Sequence, residues 1–244
     1  MSASEEFSAT PNEEISISRI DFGLDHPLDE KRKHKIPKPL PNQAFVMCIC
    51  GQPRSGKTTL MFNMISKRGK MYNKIFDWVF MVSTTFDSIP ADHPVSSLPD
   101  THVWEELDAS TVDQIQCVLD LLPKHDSKLL ILDDCMAEFK DRNVVKAFKR
   151  WVANRRHFNL SIMAITQVYN EIDLKVRKMF SHLMIFPITN PKELNSIAEE
   201  MAMIDEKVFR RLANWVFGQG KHSFMFIDKD GRRIYRQFDE ITGI

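Results

Sequence analysis

In the stretch GQPRSGKTT, Gly51 is followed after four residues by Gly56, Lys57 and Thr58. Glycines so placed let a loop wrap closely enough for its N–H groups to converge on phosphate oxygens. A helix starting at Lys57 adds the partial positive charge of its N-terminus, and the Lys57 ammonium adds a full charge. Gly51, Gln52, Pro53, Arg54, Ser55, Gly56, Lys57, Thr58 and Thr59 are therefore read as a phosphate cradle, with the Thr58 hydroxyl as a ligand for Mg²⁺. The apolar run AFVMCIC precedes the loop and a helix-forming segment follows it, which is the strand–loop–helix setting such a loop requires. Arg54 is bulky for its position and is expected to point to solvent.

A second reactive pair closes the apolar run LLILDDC. A strand ending there carries Asp133 to the carboxyl edge of a sheet, beside the cradle, where it can hold the metal. Asp134 is one residue further on, placed to polarise an attacking water as a general base. The run LSIMAITQ ends in Thr166 and Gln167; a neutral hydrogen-bonding side chain at the same edge is suited to sensing a γ-phosphate. Arg156 lies eleven positions before Gln167 (167 − 156). It either offsets a helix C-terminal dipole or reaches a neighbouring subunit's γ-phosphate as an arginine finger, with Arg155 and Arg177 as alternatives.

These groups need a scaffold, and the patterning predicts one. Five short apolar runs, AFVMCIC, IFDWVFMVS, KLLILDD, LSIMAITQ and HLMIFPI, alternate with helical stretches, a rhythm that implies a mostly parallel five-stranded sheet flanked by helices in an α/β fold. Helices are expected from Lys57, around 112–122, 143–155 and 174–180, and then over 191–203 and 205–214. Asp230-Gly231 between alternating segments predicts a C-terminal β-hairpin. Residues 43–244 form the expected domain. Ahead of them, 1–42 is an acidic tail that turns into the basic, proline-rich run KRKHKIPKPLP, read as an extended linker or a basic contact patch.

The 244 residues suit one globular domain, and 33 basic against 33 acidic residues exclude a bulk polycation, so any contact with a polyanion must be local. Cys48, Cys50, Cys117 and Cys135 show no zinc-ligand spacing, and reduced thiols in a reducing compartment are expected. No apolar run approaches the ~18 residues of a membrane span. His93, His102, His125 and His222 are read as surface or cap residues.

In their order, GQPRSGKTT, LLILDDC and RRHFNLSIMAITQ resemble the FtsK/HerA superfamily, and within it the poxvirus-type genome-packaging ATPases of large DNA viruses and virophages. The resemblance covers about residues 43–240, including the closing SFMFID…RIYR segment. It implies a P-loop NTPase fold with the sensor strand between the cradle strand and the acid strand. It also implies ATP with Mg²⁺ as cofactors and a homo-oligomeric ring, pentamer or hexamer, that translocates double-stranded DNA into a preformed capsid. Capsid proteins are further partners under this reading, in the host cytoplasm or the virion. Superfamily members often carry Glu where Asp134 stands. Two rivals share the loop: a nucleotide-kinase-like enzyme, which would need an arginine-rich lid, and a capsid-associated ATP-binding protein without motor activity. A GTPase is disfavoured because no Asn-Lys-x-Asp run occurs.

Overall fold

The computed structural model describes residues 26–66, 70–86, 89, 95–220 and 222–243. The acidic stretch 1–25 and His93 lie outside them. In chain order the elements are β1 (Val46–Cys50), α1 (Lys57–Ile65), β2 (Trp78–Ser83), β3 (Val103–Trp104), α2 (Ala109–Leu121) and β4 (Lys128–Asp133). A 3-10 turn (Met136–Lys140) leads into α3 (Arg142–Ala153), the single turn α4 (Arg155–Phe158) and β5 (Leu160–Thr166). A second 3-10 turn (Tyr169–Glu171), α5 (Leu174–Arg177), β6 (His182–Ile185) and α6 (Pro191–Ile197) follow. A π-helical turn (Ala198–Ala202), α7 (Glu206–Phe217), β7 (Met225–Asp228), β8 (Arg233–Arg236) and β9 (Asp239–Glu240) close the chain.

Among the described residues nine strands join one sheet in the order β3-β2-β4-β5-β1-β6-β7-β8-β9. The five expected strands are all present, but the parallel part holds six because β3 pairs with β2. The expected C-terminal hairpin is present as β7 and β8, and because β7 pairs antiparallel with β6 it extends the same sheet. β3 escaped the patterning because its two residues are only half-buried. The expected strand order is met, since β5 lies between β1 and β4.

The strands alternate between two cores, as a period of two requires. Val46, Cys48 and Cys50 face one cluster with side chains of α2, α3, α5, α6 and α7. Met47 and Ile49 face the other, which contains Met61 and Met64 of α1. Among the described residues, four of the five helices of seven or more residues begin on an Asp or Asn whose side chain accepts a backbone N–H: Asp108, Asp141, Asn190 and Asp205. The fifth, α1, begins on Gly56 with φ 110° and no side-chain cap, so its first N–H groups face outward for another acceptor.

Residues 26–42 do not behave as a solvated linker. Leu28, Ile36 and Leu40 are buried in the α1-side core, and the buried Asp29 carboxylate accepts the Ile36 N–H at 2.8 Å. The Leu28 N–H donates to Asn42 O at 2.6 Å, and Arg32 pairs with Asp77 at 2.5 Å. The prolines set an extended path, and that path lies on the domain. Ile36→Ala and Leu40→Ala should each lower unfolding free energy by about 2–5 kcal/mol, read from urea midpoints. A solvated linker would lose no more than about 0.5 kcal/mol.

Candidate functional site: a phosphate cradle at the sheet edge

Register brings the reactive residues together. Cys50 pairs with Thr166, Asp133 with Ile165 and Ser83 with Asp133, so the carboxyl ends of β1, β5, β4 and β2 lie nearly flush. The residues just beyond them, Gly51, Gln167 and Asp134, share one edge.

The cradle leaves β1 with the Gly51 N–H bonded to Thr166 O at 3.2 Å. Gly51 has no room for a side chain, because a Cβ there would lie 2.6 Å from the Phe186 Cβ. At Gly56 the positive φ turns the chain into α1. Lys57 is buried; its Nζ donates to Gly51 O at 2.6 Å and Gln52 O at 3.0 Å. Burial lowers its pKa, partly offset by the charges of Asp134 and Asp133. The Ser55 Oγ is buried with no partner among the described residues. Thr58, Thr59, Gln52, Pro53 and Arg54 are exposed, Arg54 in keeping with the solvent-facing reading. A lysine ringed by carbonyls, an orphaned hydroxyl and an uncapped helix start together fit a phosphate chain.

Asp133 and Asp134 occupy different surroundings. Asp133 is partly buried, its Oδ2 accepting from the Ser83 Oγ at 3.3 Å, and burial raises its pKa. Asp134 is exposed, with φ 57°, and its N–H continues the ladder to Ile165 O at 3.0 Å. Its Oδ2 accepts from Gln167 Nε2 at 2.9 Å. The expected base and the expected sensor are therefore hydrogen-bonded to each other, with Asp133 set back as the better enclosed oxygen donor.

Arg156 is not brought to this cluster. It is exposed in α4, before β5, and borders a cleft with Lys124 and Asp126 at the opposite sheet edge. The seven residues of β5 put about 20 Å between the two edges, so Arg156 cannot serve its own cradle. Arg155 is half-buried and donates to Ala44 O and Val152 O. Arg177 is held by Glu200 at 3.2 Å and lies over the Tyr169 ring, which removes it as a mobile finger.

Two neighbours of the cradle were missed in the sequence. His222, read as a surface residue, makes a hydrogen bond from Nδ1 to Ser55 O at 2.9 Å. Glu193 in α6 is buried, and its Oε1 accepts the Tyr169 N–H, pinning the chain just past Gln167. Burial raises the Glu193 pKa. No local signal marks His222; Glu193 reads locally as an ordinary first-turn helix acid.

An α/β sheet with a glycine-bearing loop at the end of β1 leading into α1, paired acids at the end of β4 and β5 between those strands defines a P-loop NTPase fold. The chain belongs to the family described as "Poxvirus A32 protein", whose model matches residues 33–229. This agrees with the poxvirus-type resemblance of its motifs. No curated protein matches the sequence. Among solved structures, the genome packaging NTPase B204 from Sulfolobus turreted icosahedral virus 2 in complex with AMP is 17% identical, with 84% of this chain and 100% of that one covered at a TM-score of 0.56. Its complex with ATP-gammaS is also 17% identical, covering 80% and 96% at 0.54. B204, the DNA-packaging ATPase from Sulfolobus turreted icosahedral virus, is 17% identical, covering 80% and 97% at 0.55. At such identity the likeness is one of fold. Among the described residues no helix is long and apolar enough to cross a membrane.

The raised Asp133 pKa fixes a stability test. A carboxyl whose folded pKa lies above its unfolded value opposes folding once ionised. Asp133→Asn should therefore be at least as stable as the parent protein at neutral pH without nucleotide. Any gain should shrink as pH falls through the folded-state pKa and vanish below the ordinary carboxylate value, read from denaturant midpoints across pH. A loss of stability at neutral pH would contradict this.

Proposed function

We propose that this chain is an ATP-hydrolysing, double-stranded DNA translocase that packages a viral genome into a preformed capsid. It works as a homo-oligomeric ring, pentamer or hexamer, at the viral assembly site in the host cytoplasm or on the virion. The observation that carries the reading is the register of β1, β5 and β4, which brings Gly51, Gln167, Asp133 and Asp134 to one edge. Membership of the poxvirus A32 protein family and a fold shared with B204, a genome packaging NTPase, support it.

In this reading the loop 51–59, through those of its N–H groups that face outward, and the Lys57 ammonium would hold the triphosphate of ATP. Thr58 and Asp133 would hold Mg²⁺, which would neutralise developing phosphate charge. Asp134 accepts a proton from the attacking water, and Gln167 orients that water and senses the γ-phosphate. The Asp134–Gln167 bond supports this division, because it puts a carboxylate and an amide next to each other, the pair a water would need to be both polarised and aimed. Asp134→Asn should bind Mg-ATP with parental affinity yet hydrolyse it at least about a hundredfold more slowly, measured by nucleotide binding beside single-turnover hydrolysis. Equal loss of binding in Asp134→Asn and Asp133→Ala would refute the division of roles.

The deciding experiment is hydrolysis with and without long duplex DNA. A motor is stimulated by duplexes of unrelated sequence, and stimulation falls with salt because the grip is on phosphates. Absence of stimulation would favour a capsid-associated ATP-binding protein, or a kinase-like enzyme if a phosphoryl acceptor were consumed.

Arg156 is proposed to act in trans. Its edge is remote from its own cradle and accessible to a neighbour. Arg156→Ala should bind ATP yet lose about 10³–10⁵ in rate, whereas a helix-dipole role of about 0.3–1 kcal/mol would cost less than tenfold. Mixing it with Lys57→Ala, which keeps its arginine but lacks its cradle, should restore part of the activity. Mixed rings that form but stay inactive would overturn the assignment.

A further inference from the structure

Beside the catalytic edge, five cations from three chain segments line one open groove: Lys140 from the turn after the acid pair, Arg142, Lys146 and Lys149 from α3, and Lys175 from α5. The sole acid in its lining is Asp173, and that carboxylate accepts the Lys175 N–H at 2.8 Å. None of the five cations is ion-paired with a described residue. Four are exposed and Lys149 is half-buried. A basic helix face alone would be an ordinary solvated surface. Convergence from three segments with one carboxylate against five cations is different, because like charges brought to one groove repel unless an external anion joins them.

We propose that this groove is where the protein grips the phosphates of duplex DNA. The assignment rests on the translocase reading above and supplies the contact surface that reading lacks. Arg142 and Lys149 stand seven residues apart on α3, about 10 Å along a helix at ~1.5 Å per residue. That matches the axial rise of about three phosphates on one DNA strand at ~3.4 Å each. Four of the five cations are lysines, point charges suited to phosphate, and the one aromatic ring in the lining, Phe139, is buried, so the groove suits backbone contact independent of sequence.

Its walls connect to the chemistry. The turn bearing Lys140 begins two residues after Asp134, and the one leading to Lys175 begins two residues after Gln167. Asp134 and Gln167 are bonded to each other. A duplex bound between the walls therefore bears on the two segments that hold the base and the sensor, giving a physical route from DNA occupancy to hydrolysis rate.

The test uses the full chain and the triple variant Lys146→Ala/Lys149→Ala/Lys175→Ala, with Lys207→Ala/Arg211→Ala on the exposed face of α7 as the charge control. Duplex binding is titrated over a series of salt concentrations, and hydrolysis is measured with and without duplex. The groove variant should keep its DNA-free ATPase and nucleotide affinity and lose duplex stimulation. Its log K against log[salt] slope should become shallower by about 2.7, or ~0.9 for each of three contacts. The control should keep the parental slope. A parental slope and stimulation in the groove variant would overturn the groove while leaving the translocase reading standing. An equal fall in the control would also overturn it, as would unchanged duplex binding with lost binding of polyglutamate, which would make the groove a polypeptide site. If the parent protein neither binds duplex nor responds to it, both the translocase reading and the groove fail.

Discussion

A parallel ladder brings all its strands' carboxyl ends to one side, and the structure depends on that constraint. The insertion of β5 between β1 and β4 converts three separate apolar runs into a single edge, with Gly51, Gln167 and Asp134 each one residue past a paired strand end. A slip of one residue in β5 would exchange its two faces, moving Ile162 and Ala164 out of one core and Met163 and Ile165 out of the other. Packing on both faces thus fixes where Gln167 meets Asp134. Precision at the site comes from core burial more than from the loop itself.

Much of this was legible because the strands are buried on both sides and therefore read as unbroken apolar runs. A polar or charged residue ending such a run, as Asp133 and Gln167 do, signals the edge directly. What stayed hidden depends on partners far away in sequence. The two half-buried residues of β3 carry no periodicity. Leu28, Ile36 and Leu40 are too sparse among charges and prolines to predict a core face, yet each finds a place against the α1 side. His222 reaches Ser55 across 167 residues, a contact no local pattern could announce.

The arginines show the same limit from another side. RRHFNLSIMAITQ marks a basic corner before a strand, but sequence cannot say at which edge or against what each arginine lies. Burial and geometry separate them: Arg177 is fixed between Glu200 and Tyr169, and Arg155 leans on backbone carbonyls. The corner itself is anchored by Lys128, whose buried ammonium donates to Pro123 O, Asp126 O and Phe158 O. That lysine opens β4, the strand that ends in Asp133, so one strand fixes the basic corner at its start and the acid pair at its finish.

The separation of the two edges has a consequence for symmetry. In a two-fold dimer each subunit offers the same patch to the other, so a finger and a cradle can be exchanged reciprocally only if both lie within that patch. Here β5 holds Arg156 and the cradle at opposite ends of the sheet. Under the trans assignment, one subunit's basic corner must meet the next subunit's cradle, a contact between unlike surfaces. Such contacts either close into a ring or continue as a helical filament. The chain would then carry polarity into its assembly, every subunit a donor toward one neighbour and an acceptor toward the other.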